Sequence, residues 1–192
     1  AELKERLVNL LHIFTDRLLN KQTNHLDLFF NDEWQGRRNI QSFGHDIEAS
    51  WLLHETALVL GDNDVLAWIE PIVKDIAQAA DEGLLPDGSM ICERWMDTGK
   101  TDSSLQWWVQ CENVIGHVNL WQYFGNKENL AIAENCWDYI KTHLVDKADG
   151  EWYWSINEDG TVNLTDDKAG FWKCPYHNTR MCLEIMEREF AE

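Results

Sequence analysis

Two histidines stand where a proton could be moved. His45 lies in SFGHDIEASWLLHE (residues 42–55), directly after a glycine and ahead of an apolar helical face that includes Ile47, Trp51 and Leu52. Glu48 follows one helical turn later on the same side, close enough to orient the imidazole or to share its ligand. His177 lies in KCPYHNTRMCLE (173–184), again at the opening of a helical pattern, with Arg180 three residues on and Glu184 seven. Imidazole is the side chain whose unperturbed pKa puts proton transfer near neutral pH. A single helical histidine is more often structural than catalytic. Two at matching places of one repeat, each beside aromatic residues, point to general acid–base work. The remaining five, His12, His25, His54, His117 and His143, fall in helix bodies, a loop or a helix end and read as structural.

A third segment, WWVQCE (107–112), adds a platform and an acceptor. Trp107 and Trp108 point to different sides of a helix. Trp108 and Glu112 share a face at i and i+4, which suits an aromatic plane under a sugar ring and a carboxylate taking its hydroxyls. The plainer alternative is a core Trp107 and a solvated Glu112. Eleven tryptophans are present, several of them in polar, loop-like stretches such as EWYW (151–154) and GFWK (170–173). Aromatic faces in polar surroundings suit carbohydrate, although most of the eleven are expected to pack the core. Neither H-x-x-x-H nor H-E-x-x-H spacing occurs, so no metal and no cofactor is expected.

The elements that must position these residues are helices. Apolar spacing predicts one over residues 2–19, a second over 44–60 stopped by Gly61, and a third capped by Asp62 or Asn63 and reaching Ala80. Pro71 should kink that third helix or delay its start. A fourth is expected over 104–123, a fifth over 127–143, and a sixth from Pro175 onward. Residues 25–30 look extended, 83–103 form a long polar connection, and two D-G turns in 149–168 signal a β-hairpin. DEWQ (32–35), CERW (92–95) and GEWYW (150–154) recur in the connections at a spacing of roughly 60 residues. Helix pairs with elaborated loops, arranged around a ring, put helix N-termini and loops at one rim, and chemistry would collect there. The fold class is therefore all-α, with short β-hairpins in the loops, and three pairs make half a ring.

Bulk properties narrow the partners. The 192 residues suit a single domain spanning 1–192, and 44% hydrophobic residues support a real core. Sixteen basic against 34 acidic side chains give a formal charge of -18, which disfavours nucleic acid and anionic membranes. Five scattered cysteines without a C-x-x-C pair suit buried thiols in a reducing, cytoplasmic setting. No membrane-length apolar run is present. The chain opens inside a helical pattern without Met, which suggests a cut from something longer. Half a ring would also expose apolar helix faces, so self-association is expected.

Together FGHDIEASWLLHE, WWVQCE and KAGFWKCPYHNTRMCLE resemble the C-terminal half of the cellobiose 2-epimerase group in the N-acylglucosamine 2-epimerase superfamily. The resemblance covers nearly the whole chain, with the three motifs in the family's order. It implies half of an (α/α)6 barrel and a 2-epimerase that interconverts glucose and mannose at the reducing end of β-1,4-linked disaccharides. The substrates implied are of the cellobiose, lactose or β-mannosyl-glucose type. His45 and His177 match the family's acid/base pair, and Glu48, Trp51, Trp108, Glu112 and Trp172 match residues lining its site. The family's other half supplies an arginine and a further histidine, so activity of this chain alone is not expected. An N-acylglucosamine 2-epimerase or mannose isomerase, an (α/α)6 glycoside hydrolase using Glu48 and Glu112, and a non-catalytic sugar-binding half-barrel are the competing readings.

Overall fold

A computed structural model describes residues 2–188. Their contacts group into two compact units, a finer division than the single domain expected from length. The first takes the chain up to Glu82 together with Glu93–Thr101; the second takes Gly83–Cys92 together with the chain from Asp102 onward.

The first unit holds α1 (Glu2–Ile13), β1 (Ile40–Ser42), α2 (Phe43–Leu60) and α3 (Asn63–Ala80), with β2 (Glu93–Trp95) laid on β1. The pairing is antiparallel, with Ile40 opposite Trp95 and Ser42 opposite Glu93. A third strand, β3 (Lys100–Asp102), continues the sheet in the order β1-β2-β3 and ends at the boundary between units. α2 packs on α3. Gly61 closes α2 in the left-handed conformation (φ 64°) that L-residues resist, and its N–H returns to Leu58 O. Asp62 then caps α3 by accepting the N–H groups of Asp64 and Val65. α3 runs unbroken through Pro71, so the delayed start expected there does not occur.

The second unit holds β4 (Leu105–Gln106), α4 (Trp107–Phe124), α5 (Lys127–Tyr139), β5 (Ser155–Ile156) and α6 (Tyr176–Glu187). α4 packs on both α5 and α6. Gly125 (φ 75°) ends α4 as Gly61 ends α2, and the Asn126 side chain starts α5 by accepting Glu128 N–H. α6 opens directly after Pro175. The D-G turns at 149–150 and 159–160 are real, with Gly150 and Gly160 at positive φ. The segment between them departs from a simple hairpin, however. It bridges Ile156 to Val162 and pairs β5 with β4, fifty residues earlier. That pairing is also why α4 starts three residues later than its periodicity suggests.

Two kinds of helix result. α2 and α4 are buried on most of their circumference, including polar Asp46, Ser50 and His54 in α2 and Gln110, Glu112, Asn113, His117 and Asn119 in α4. α3 and α5 bury a single stripe, with Ile69, Val73 and Ile76 in the first and Ala133 and Cys136 in the second. The repeated connection also differs from the one expected. Trp34, Trp95 and Trp152 occupy an exposed turn, a strand and a bridge respectively, so DEWQ, CERW and GEWYW are not equivalent. What recurs is a tight bridge after each singly faced helix: Leu19 with Leu26, Leu84 with Met90, Val145 with Trp152. The first and third follow a widened π-helical turn (Phe14–Leu18 and Ile140–Leu144) and repeat bond for bond. Asn20 N–H meets His25 O as Asp146 N–H meets Glu151 O, both at 2.9 Å. Among the described residues no helix is long and apolar enough to cross a membrane.

Candidate functional site

In the first unit His45 is the third residue of α2 and is exposed. Its Nδ1 lies 2.7 Å from Ser42 Oγ, and Ser42, the last residue of β1, is itself buried. The strand therefore delivers a hydroxyl under the ring before the helix begins. A hydroxyl both donates and accepts, so this contact survives either protonation state of the imidazole. Glu48 follows one turn on, half-buried. Trp51, expected to line the site, is 1% exposed. Asp46, between them, turns inward, and its carboxyl is raised above the usual range: burial outweighs the lowering by His25 and by Leu26 N–H.

In the second unit His177 is the second residue of α6 and largely buried. Its Nδ1 donates to Glu112 Oε1 at 2.7 Å, and Arg180 Nη2 donates to the same oxygen at 2.7 Å. Glu112 is completely buried in α4. A guanidinium has only donors, so Glu112 acts as acceptor and the Nδ1 of His177 carries its hydrogen. In the neutral ring Nε2 is then the nitrogen that carries the lone pair and can accept a proton. Aromatic rings wall it: Tyr176 at 3.9 Å between centroids, Trp108 at 5.6 Å, and Trp107 edge-on at 6.2 Å. Trp108 is half-buried and its indole N–H is tied to Gln106 Oε1 at 2.8 Å, which fixes its plane, while Trp107 is core. Trp172 stands 77% exposed beside the equally outlying Phe171, with no burial of its own to hold it in place.

The second unit thus brings together His177, Glu112 and Trp108, and the first holds His45 and Glu48 three residues apart on α2. Sequence reasoning gave Glu112 a role toward hydroxyls and missed its grip on His177. It also missed Ser42, and it gave Arg180 no partner. The i+3 spacing of Arg180 from His177 was the available signal for the last of these.

Comparison with known proteins settles the kinship. The family model for N-acylglucosamine 2-epimerase matches residues 1–180. The chain belongs to that family. It is 54% identical to the cellobiose 2-epimerase of Bacteroides fragilis over 186 residues, covering 97% of this chain and 47% of that one. Among solved structures, a sugar epimerase from a ruminal bacterium superposes with a TM-score of 0.93 at 34% identity, covering 100% of this chain and 49% of that one. The cellobiose 2-epimerase of Bacillus thermoamylovorans superposes with a TM-score of 0.90 at 40% identity, over 98% and 48%. This member of the epimerase family spans about half the length of the relatives it matches.

Proposed function

We propose that the chain supplies half of an (α/α)6 barrel in a carbohydrate 2-epimerase, the half that carries both acid–base histidines. The substrate is a β-1,4-linked disaccharide of the cellobiose type, and the reaction exchanges glucose for mannose at its reducing end. In the ring-opened sugar the C1 aldehyde acidifies the C2–H bond. One imidazole takes that proton, the electron pair moves onto the carbonyl as an enediolate, and the other imidazole returns a proton to the opposite face of C2. Reversal exchanges the two roles. Each positioned proton transfer is typically worth about 10²–10⁴-fold. In this reading Arg180 and Glu48 would act near the developing oxygen charge, and Trp51, Trp108 and Trp172 would line the sugar site.

The observation that supports the reading is the pairing of His177 Nδ1 with the buried carboxylate of Glu112, which leaves Nε2 as the nitrogen that would transfer the proton. Kinship with cellobiose 2-epimerases supports the substrate class. Half a barrel also leaves apolar surface open. In the second unit a groove of about 560 Å³ lined by Val118, Trp121, Leu130, Ile185 and Met186 is the patch through which the isolated chain would self-associate.

Incubation of the protein, as naturally encoded, with cellobiose in D₂O tests the function. The expected product is the mannose-ended disaccharide carrying deuterium at C2. A fructose-ended product, as from a mannose isomerase, or free glucose, as from a hydrolase, would refute the assignment.

A further inference from the structure

Buried polar side chains that take no part in proton transfer recur at one place in the fold. The residue directly after each candidate imidazole turns inward and clasps the bridge that follows the preceding helix. In the first unit Asp46 Oδ2 lies 2.7 Å from His25 Nδ1, and its Oδ1 accepts Leu26 N–H at 2.8 Å. Both side chains are buried, at 0% and 2% exposed. In the second unit Asn178 Nδ2 donates to Glu151 Oε1 at 3.0 Å, and that oxygen also accepts from Lys173 Nζ at 2.9 Å. Lys173 is fully buried, a costly state for an ammonium that calls for a paired anion. Its Nζ also lies 5.2 Å from the Trp107 ring, the same ring that meets His177 edge-on. His25 and Glu151 occupy the same position of the repeated bridge.

A third copy supplies an internal control. In α4 Gln110 exchanges two hydrogen bonds with Met90, accepting its N–H at 2.9 Å and donating to its carbonyl at 2.8 Å. Asp46 and Gln110 are each the fourth residue of their helix and Asn178 the third of its own. Gln110 follows Val109, however, and not a histidine. The clasp thus exists with and without a neighbouring imidazole.

Successive helical side chains project about 100° apart. A contact that fixes one residue of the first turn therefore fixes the direction of the next. We propose that Asp46 and Asn178 are positioning residues that set the aim of His45 and His177 by clasping His25–Leu26 and Glu151. The proposal rests on the acid–base reading of the two histidines. A displacement of about 1 Å at a reacting group can cost on the order of 10²-fold in rate.

The test uses the naturally encoded protein and cellobiose in D₂O, and follows deuterium at C2 in both the recovered starting sugar and the epimer. Asp46→Ala and Asn178→Ala are expected to lower kcat by about 10²-fold with KM little changed. Because each clasp serves a different imidazole, the two variants should displace the ratio of label in starting sugar to label in epimer in opposite directions. Asp46→Asn, which keeps both contacts, should restore the original ratio. Gln110→Ala should lower the thermal midpoint and leave the ratio unmoved. If an alanine variant does not fold, Asp46→Ser and Asn178→Ser, which keep a shorter polar group, should show the same opposed displacements at smaller size. Folded Asp46 and Asn178 variants whose ratios do not move, or move together, would overturn the proposal. Absence of label at C2 in the unsubstituted protein would refute the acid–base reading itself, whatever the clasp variants do.

Discussion

His45 and His177 both open a helix, yet their surroundings differ in charge and in access. His45 is exposed and leans on a serine hydroxyl; His177 is walled by aromatic rings and leans on a buried carboxylate that an arginine also holds. A hydroxyl can meet either protonation state of an imidazole by rotating. The carboxylate instead fixes one tautomer and stabilises the imidazolium once formed. The same contrast runs through the clasps. Asp46 in the first unit faces a histidine, and Glu151 in the second faces a buried lysine. Each of the two helices thus opens on an imidazole, with Nδ1 against a hydroxyl in the first unit and against a carboxylate in the second.

The sharpest way to break that comparison is at the ring partners. Glu112→Ala leaves His177 and Arg180 without their common acceptor, and kcat of the encoded protein should fall by roughly 10³-fold or more. Ser42→Ala removes only a neutral hydrogen bond worth about 1 kcal/mol, so steady-state assays should show a drop of about tenfold or less. Equal losses would erase the distinction between the two ring partners. At the next level, Lys173→Met deprives Glu151 of its cation. Stripping one partner from a buried pair costs about 3–5 kcal/mol, and the partial exposure of Glu151 brings the expected loss down to about 2 kcal/mol in urea unfolding.

Acid sharpens the comparison further. Burial tends to raise the Glu151 carboxyl, but the Lys173 ammonium and the Trp152 N–H prevail and hold it below the usual range. Its stabilising contribution is therefore present above the ordinary carboxylate pKa and is lost as pH falls through the lowered one. Asp46 is shifted upward, so its contribution is fullest in acid and fades as pH rises through the raised value. Thermal midpoints measured from pH 3 to pH 7 should show the advantage of the native sequence over Glu151→Gln growing with pH. Against Asp46→Asn it should shrink. Parallel trends would contradict the assignment of the two causes. The smallest effect is expected at Trp172, whose side chain is 77% exposed. Trp172→Ala should leave stability within about 0.5 kcal/mol and raise KM for the disaccharide a few-fold.

What the sequence disclosed was local. Gly61, Gly125, Asp62 and Pro175 mark helix ends through chemistry confined to a few residues, and each stands at the end it was expected to mark. His45 and His177 stood out because each opens a helical pattern beside aromatic residues. Arrangements that depend on distant pairing stayed hidden. β1 meets β2 across some fifty residues, and β4 meets β5 across a similar gap, so neither sheet could be read from alternation alone. His25 looked like a loop residue until Asp46 was seen against it, and Lys173 carried no sign that it would be wholly buried. Pro71 pointed to a kink or a late start, and α3 begins ahead of it at Asn63, so only the late start is ruled out.

The central claim is that the two imidazoles serve opposite faces of one carbon, and single-histidine variants test it most directly. His45→Asn and His177→Asn would each be incubated in D₂O, separately with the glucose-ended and the mannose-ended disaccharide, and C2 exchange followed by NMR. Each variant should fail to epimerise yet still exchange the C2 hydrogen of one sugar, and the two should exchange different sugars. Exchange of the same sugar by both variants, or continued epimerisation by either, would contradict the account.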